Sequence, residues 1–134
     1  MIYELTDLNE LDNSFISKEY ISKELENNPF GKLLVLKENN EIIGYLYYSD
    51  IYERAEINQF EINSIHRNCG KGDTLLKYLI DTIKKDITLE VKEDNIPAIK
   101  VYEKNGFVKK TIRKGYYNGI DGILMERKYK DSLK

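Results

Sequence analysis

Ala55-Glu56-Ile57-Asn58-Gln59-Phe60-Glu61-Ile62, then Asn63-Ser64-Ile65-His66, Arg67-Asn68-Cys69-Gly70-Lys71-Gly72 and Asp73-Thr74-Leu75-Leu76, is the stretch whose reading sets the fold. Ile57 to Ile62 reads as a strand, with Phe60 and Ile62 on one face and Glu61 on the other. From about Asp73 to Lys85, Leu75, Leu76, Leu79, Ile80 and Ile83 make one apolar stripe of a helix. Between them, Gly70 and Gly72 let the main chain turn tightly, with N–H groups facing outward and no β-carbon in the way. The following helix adds unpaired N–H donors and the positive end of its dipole. Together these make a pyrophosphate cradle. By composition, an Arg/Gln-x-x-Gly-x-Gly/Ala pattern arises by chance about 0.02 times in such a chain. The Gly-Lys-Ser/Thr ending of a triphosphate loop is absent, and the three-glycine dinucleotide pattern is incomplete.

Outward from this stretch, the pattern alternates in type. Ile2 to Leu5 is a short strand, and Leu8, Leu11 and Phe15 recur at helical spacing behind the cap candidate Thr6. Tyr20, Ile21 and Leu25 predict a second short helix that ends near Asn27-Asn28-Pro29. Leu33 to Leu36 and Ile42 to Tyr48 flank Glu38-Asn39-Asn40-Glu41 and read as a hairpin. Ile87 to Val91 is a strand; the next helix has Pro97 in its first turn and Gly106 at its stop. Val108 to Arg113 and Ile123 to Arg127 are the last strands. A right-handed crossover makes the strands at Ile57 and Val91 parallel neighbours or nearly so. The expected class is α/β (α+β), a mixed sheet of about six to seven strands with about four helices, without doubly wound alternation.

The chain of 134 residues fits a single domain, 1–134, with a core of its own. Apolar residues are 41% and charged residues 33%, an ordinary globular composition. A net charge of −2 leaves no global basic field for nucleic acid or an anionic membrane. Cys69 is the one cysteine, so no intrachain disulfide forms. With one histidine, His66, and no ligand spacing, no metal site is expected. Met1 to Glu10 lacks the apolar run of a signal peptide, and Ile42 to Tyr48 is too short to cross a bilayer. A cytoplasmic monomer or homodimer is expected. Cys69 reads as a small turn residue, His66 as a solvated loop residue, and Lys84-Lys85 and Lys109-Lys110 as solvated faces.

The hexapeptide Arg67 to Gly72 resembles the acyl-CoA signature of the GNAT acetyltransferases. Leu89-Glu90-Val91-Lys92-Glu93-Asp94-Asn95, Ala98-Ile99 and Tyr102-Glu103-Lys104-Asn105-Gly106-Phe107 resemble a run in the ribosomal-protein alanine N-acetyltransferases, the RimI-like group. Arg113-Lys114-Gly115-Tyr116-Tyr117, with Asp121 and Met125, is similar to the tail of that group, so the match covers about Glu53 to Tyr129. Lys71 stands where an aliphatic residue is common, and the N-terminal part lacks that group's tryptophan-containing segment.

The resemblance implies the GNAT fold and acetyl-CoA as cofactor, with CoA as product. It implies that the main chain of Asn68, Cys69, Gly70, Lys71 and Gly72, behind Arg67, holds the pyrophosphate. It implies that Phe60, Glu61 and Ile62 carry the pantetheine arm and polarise the thioester, and that Asn95 flanks the cofactor. Tyr102 is implied near the sulfur, able to protonate the leaving thiolate, and Glu90 as general base. Glu61 and then Glu56, on the strand beside the thioester, are alternative bases. Tyr116 and Tyr117 either line an acceptor groove or pack on the sheet.

Direct attack in a ternary complex requires a neutral amine. An α-amine (pKa about 8) is about a tenth neutral at pH 7, against under a thousandth for a lysine (about 10.4). A protein or peptide N-terminus is therefore the leading acceptor. The alternatives are a small-molecule amine and a non-catalytic acyl-CoA-binding domain.

Overall fold

The computed structural model describes residues 1–129. Seven strands, β1 (Ile2–Glu4), β2 (Gly31–Glu38), β3 (Glu41–Ile51), β4 (Arg54–Ile62), β5 (Asp86–Lys92), β6 (Val108–Tyr117) and β7 (Ile120–Arg127), form one sheet. Their order is β1-β2-β3-β4-β5-β7-β6. Only β4 and β5 run parallel; the other neighbours are antiparallel. The crossover between that parallel pair is α2 (Lys71–Ile83), as the sequence predicts. The other helices are α1 (Lys18–Glu26) and α3 (Ile96–Lys104).

The first expected helix is instead a 3-10 turn, Leu8–Leu11. Its cap is Asp7, not Thr6: the Asp7 carboxylate accepts from the Asn9 N–H at 3.0 Å. Asn13, at φ 65°, and the Ser14 hydroxyl, donating to the Leu11 carbonyl at 2.7 Å, turn the chain away before Phe15 can extend a helix. The predicted β2–β3 hairpin closes at Asn39 and Asn40, both in the left-handed region at φ 51° and 63°. Asparagine is among the few non-glycine residues that adopt it readily.

Burial divides by strand alternation into two clusters. Leu34, Leu36, Ile43, Leu46, Ile57, Leu89, Val91, Ile123 and Met125 face α2 and α3 and pack against Leu75, Leu76, Leu79, Ile99 and Tyr102. On the opposite face, Leu33, Val35, Tyr45 and Tyr47 pack under Ile21 of α1 and Leu11. That second cluster draws its buried strand residues from β2 and β3, so α1 covers only one side of its face. The other side, over β4, β5 and β7, presents Glu56, Thr88, Glu90 and the partly exposed Leu124.

Near the middle of the sheet the pairing fails. Tyr47 pairs with Gln59 and Tyr48 with Ile57, leaving Asn58 without a partner as a β-bulge. The β4–β5 ladder runs from Arg54–Asp86 to Ile57–Leu89 and ends there, although both strands continue. A gap therefore opens between Asn58–Ile62 of β4 and Glu90–Lys92 of β5. The bulge is tied down on the α1 side. Asn58 Nδ2 donates to Ser49 Oγ at 2.7 Å, and Asn28 Nδ2 donates to the same oxygen at 2.8 Å and to the Tyr47 hydroxyl at 2.8 Å. Ser49 is buried, 4% exposed, so two amides converge on an oxygen out of reach of bulk water.

Candidate active site

The gap is lined by main chain. The Asn63 N–H donates to the Ile43 carbonyl of β3 at 2.8 Å, so alternation turns the polar groups of Phe60 and Ile62 away from β3, toward the gap. Main-chain groups at such a break accept an extended, amide-bearing ligand as if it were a further strand. The Ile62 carbonyl accepts from Arg67 Nε at 3.0 Å, and Arg67 Nη2 stands 3.6 Å from Glu61 Oε2. Arg67 thus folds over the upper end of β4. Glu61 lies on the opposite face from Phe60 and Ile62, where the Tyr45 hydroxyl donates to it at 3.4 Å. Burial, and then the Glu61 charge, raise the Tyr45 pKa well above its ordinary value.

The turn after β4 delivers the chain into α2. Ser64–His66 make a 3-10 turn, Asn68 takes φ 63°, and Gly70 caps α2 at φ 79°. A glycine has no side chain with which to cap. The contrast is internal: Ser17 caps α1 and Asn95 caps α3 through side-chain oxygens, whereas α2, the longest helix, has no such cap. Its first-turn N–H donors are left for an anion. A β-carbon on Gly70 would meet nothing within 4 Å, so the space before it is open. A β-carbon on Gly72 would lie 3.5 Å from Phe60 Cζ and 3.6 Å from Ile62 Cγ1. The helix start therefore sits directly against the unpaired part of β4.

Side chains of the signature do other work. Lys71 is half-buried, and its Nζ donates to Glu38 Oε2 at 2.7 Å. That hydrogen bond is the main reason the Glu38 carboxyl sits below its ordinary pKa. Cys69 is exposed, with Sγ 3.4 Å from the Arg67 carbonyl. Asn95 Oδ1 accepts from the Ala98 N–H at 3.4 Å, so its side chain caps α3. His66 is not a fully solvated loop residue: its Nε2 is buried, lies 3.6 Å from Glu41 Oε1 and has no hydrogen-bond partner among the described residues.

Tyr102, on α3, is 6% exposed, with its ring centroid 6.1 Å from that of Phe60 and 5.6 Å from that of Phe107. It stands beside the unpaired part of β4. Burial pushes its hydroxyl up to about 12, so it holds its proton across the physiological range. Glu90, on β5, lies on the open face, opposite Leu89 and Val91. The Tyr117 hydroxyl donates to Glu90 Oε1 at 3.1 Å, and Arg113 Nε lies 3.0 Å from Glu90 Oε2. Burial first, and the Glu90 contact second, raise the Tyr117 hydroxyl pKa. Both partners come from β6 and reach across β7. A β-carbon on Gly122 of β7 would stand 3.0 Å from Tyr117 Cε2, so a larger residue there would make that ring give way by a few tenths of an ångström. Tyr116 packs edge-on against Tyr117 at 4.9 Å and lies under the Arg113 guanidinium at 4.1 Å.

The structure thus brings Phe60, Ile62, Gly72 and Tyr102 together on the helix side of the gap, while Glu90 and Tyr117 meet on the opposite face of the sheet. Asn95 and Lys71 turn their side chains to other partners. Sequence reading passed over the Asn58 bulge, because an asparagine inside a regular alternation gives no signal. It also gave no part to Arg113, whose contact with Glu90 spans an intervening strand.

Comparison with known proteins decides the family. Residues 2–107 match the family described as the Acetyltransferase (GNAT) family. The chain is a GNAT acetyltransferase. A Haemophilus influenzae protein named ribosomal protein bS18-alanine N-acetyltransferase is 38% identical over 99 residues, covering 69% of this chain and 67% of that one. Among solved structures, the ribosomal-protein-S18-alanine N-acetyltransferase of Escherichia coli superposes with a TM-score of 0.82 at 24% identity, covering 96% and 93% of the two chains. A GNAT family acetyltransferase from Elizabethkingia anophelis, solved with acetyl-CoA bound, gives 0.76 at 26% identity, covering 96% and 97%. The mixed seven-stranded sheet is thus the GNAT fold, and acetyl-CoA is the acetyl donor of this GNAT enzyme. Among the described residues, no helix is long and apolar enough to cross a membrane.

Proposed function

We propose that this GNAT enzyme acetylates the N-terminal α-amine of a protein or peptide, with Glu90 as general base and Tyr102 as general acid. One observation carries the placement: the uncapped start of α2 abuts the unpaired edge of β4, which leads to Tyr102 and Glu90. The N–H donors of Lys71, Gly72 and Asp73 at that start would hold the pyrophosphate, whatever their side chains do. Phe60 and Ile62 would pair with the pantetheine amides, Arg67 yielding the Ile62 carbonyl. Bound acetyl-CoA supplies an electrophilic acetyl thioester.

The acceptor enters from the face that α1 leaves open. The amine nitrogen forms its bond to the acetyl carbon as the carbon–sulfur bond breaks. Glu90 takes the proton released by the amine, directly or through a water, and the Tyr102 hydroxyl gives one to the departing thiolate. A site with so modest a base favours an amine already partly neutral near pH 7, which describes an N-terminus better than a lysine. The Haemophilus influenzae relative, named for acetylating the alanine of a ribosomal protein, supports the same acceptor class. A cytoplasmic location, where acetyl-CoA and new N-termini meet, belongs to this reading.

A peptide library with free N-termini and internal lysines, incubated with acetyl-CoA and read by mass spectrometry, tests the acceptor. Labelling is expected on α-amines; equal labelling of lysines, or activity on small amines alone, refutes it. Glu90→Gln is expected to lower turnover about 100-fold or more with acetyl-CoA affinity retained.

A further inference from the structure

The Glu90 carboxylate is not free on its face of the sheet. Each oxygen has its own partner: Oε2 the Arg113 guanidinium at 3.0 Å, and Oε1 the Tyr117 hydroxyl at 3.1 Å. Arg113 is itself held, lying over the Tyr116 ring at 4.1 Å while Tyr116 braces Tyr117 at 4.9 Å. Four side chains thus form a closed set, with Glu90 on β5 and the other three on β6. The local backbone is shaped for it. Between Arg113 and Tyr117 the β6–β7 register shifts, Gly115 takes φ 60°, and its N–H donates to Asp121 Oδ1 at 2.9 Å. That irregularity lets Arg113 and Tyr117 converge on one carboxylate across the strand between them.

We propose that Arg113 is a positioning residue for acetyl transfer, fixing the direction of the Glu90 carboxylate so that its remaining lone pairs face the acceptor amine. The inference rests on Glu90 being the base. An exposed ion pair held for stability alone would be worth under about 1 kcal/mol and would need neither the second donor nor the aromatic brace. A carboxylate offers about four acceptor sites, so engaging one on each oxygen leaves capacity for an incoming N–H. What the contacts remove is rotation of the side chain, and catalytic groups lose rate steeply when their aim is loose.

The test is a double-mutant cycle on the full chain, using the best peptide from the library at saturation and acetyl-CoA varied through its KM. Arg113→Met is expected to lower kcat about 10-fold or more, with the KM for acetyl-CoA within about 2-fold of wild type. Arg113→Lys, which keeps the charge but not the fixed Nε, is expected to recover part of the loss. In the Glu90→Gln background, Arg113→Met is expected to cost less than about 3-fold further, because it then has nothing to aim. Full turnover in Arg113→Met, or independent and multiplicative losses in the double variant, overturns the positioning role. Loss in Glu90→Gln together with full turnover in Arg113→Met removes Arg113 alone. Wild-type turnover in Glu90→Gln removes the base assignment and this inference with it. Should Arg113→Met fail to fold, Arg113→Gln carries the same comparison.

Discussion

Gly70→Ala and Gly72→Ala form a matched pair that isolates the anion turn. Gly70 sits at φ 79°, so any L side chain there is strained, yet its β-carbon would touch nothing within 4 Å. The strain costs about 1–2 kcal/mol. At roughly 4 °C per kcal/mol for a chain of this size, the melting temperature is expected to fall by about 4–8 °C. Gly72 lies inside α2 with ordinary backbone geometry, and its β-carbon would make normal contacts with Phe60 and Ile62. Alanine there is expected to be neutral or to add up to about 1 kcal/mol through helix propensity. The decisive comparison is the further shift caused by acetyl-CoA. At a hundred times its Kd a ligand stabilises by about 2.7 kcal/mol, or roughly 10 °C here. Gly72→Ala is expected to keep that shift. In Gly70→Ala a methyl group intrudes where the phosphates approach the N–H donors, and a hundredfold weaker affinity would leave only about 0.4 kcal/mol, or roughly 2 °C. Differential scanning fluorimetry with and without millimolar acetyl-CoA reads both terms at once. A full ligand shift in Gly70→Ala would refute the reasoning.

Lys71 is paired with Glu38 and turned from the cradle, so Lys71→Ala is expected to change acetyl-CoA affinity by less than about 3-fold in a calorimetric titration; a tenfold loss would mean that it reaches a phosphate. Tyr102→Phe removes a hydroxyl without a hydrogen bond among the described residues, so turnover is expected to fall at least about 10-fold while the melting temperature holds. In the parent, that hydroxyl should ionise near pH 12 by ultraviolet difference titration. Because the folded pKa is raised, its stabilising contribution is full below pH 10 and fades as pH climbs toward 12. Ser49→Ala strands the Asn58 amide and removes one of the two acceptors of Asn28 Nδ2, and is expected to cost about 1–3 kcal/mol in denaturant unfolding; an unchanged midpoint would show that Asn58 finds another partner.

The strand–turn–helix unit from Ile57 to Ile83 was legible because its signals are local: alternation, two glycines and an apolar stripe. The parallel β4–β5 pair followed from the handedness of one connection. Glu61 falls on the face opposite Phe60 and Ile62, as alternation requires. The first helix was misread because Asp7 and Asn13 compete for the backbone with short polar side chains, and apolar spacing does not register this. β6 runs past Gly115 to Tyr117 because the glycine is absorbed into an irregularity of register and does not end the strand. The fixing of Glu90 was illegible for a different reason. Its partners lie 23 and 27 positions further along the chain, and nothing in either segment says that they meet over Gly122.

The break between β4 and β5 has an implication for how this molecule can change. Where peptide groups do the gripping, the identity of the residues that carry them is largely unconstrained, provided the register survives. Side chains at Gln59 and Glu61 can then drift, or be redesigned, to suit a different amine while the donor remains bound. One scaffold could in this way serve many acceptors by repainting a single face.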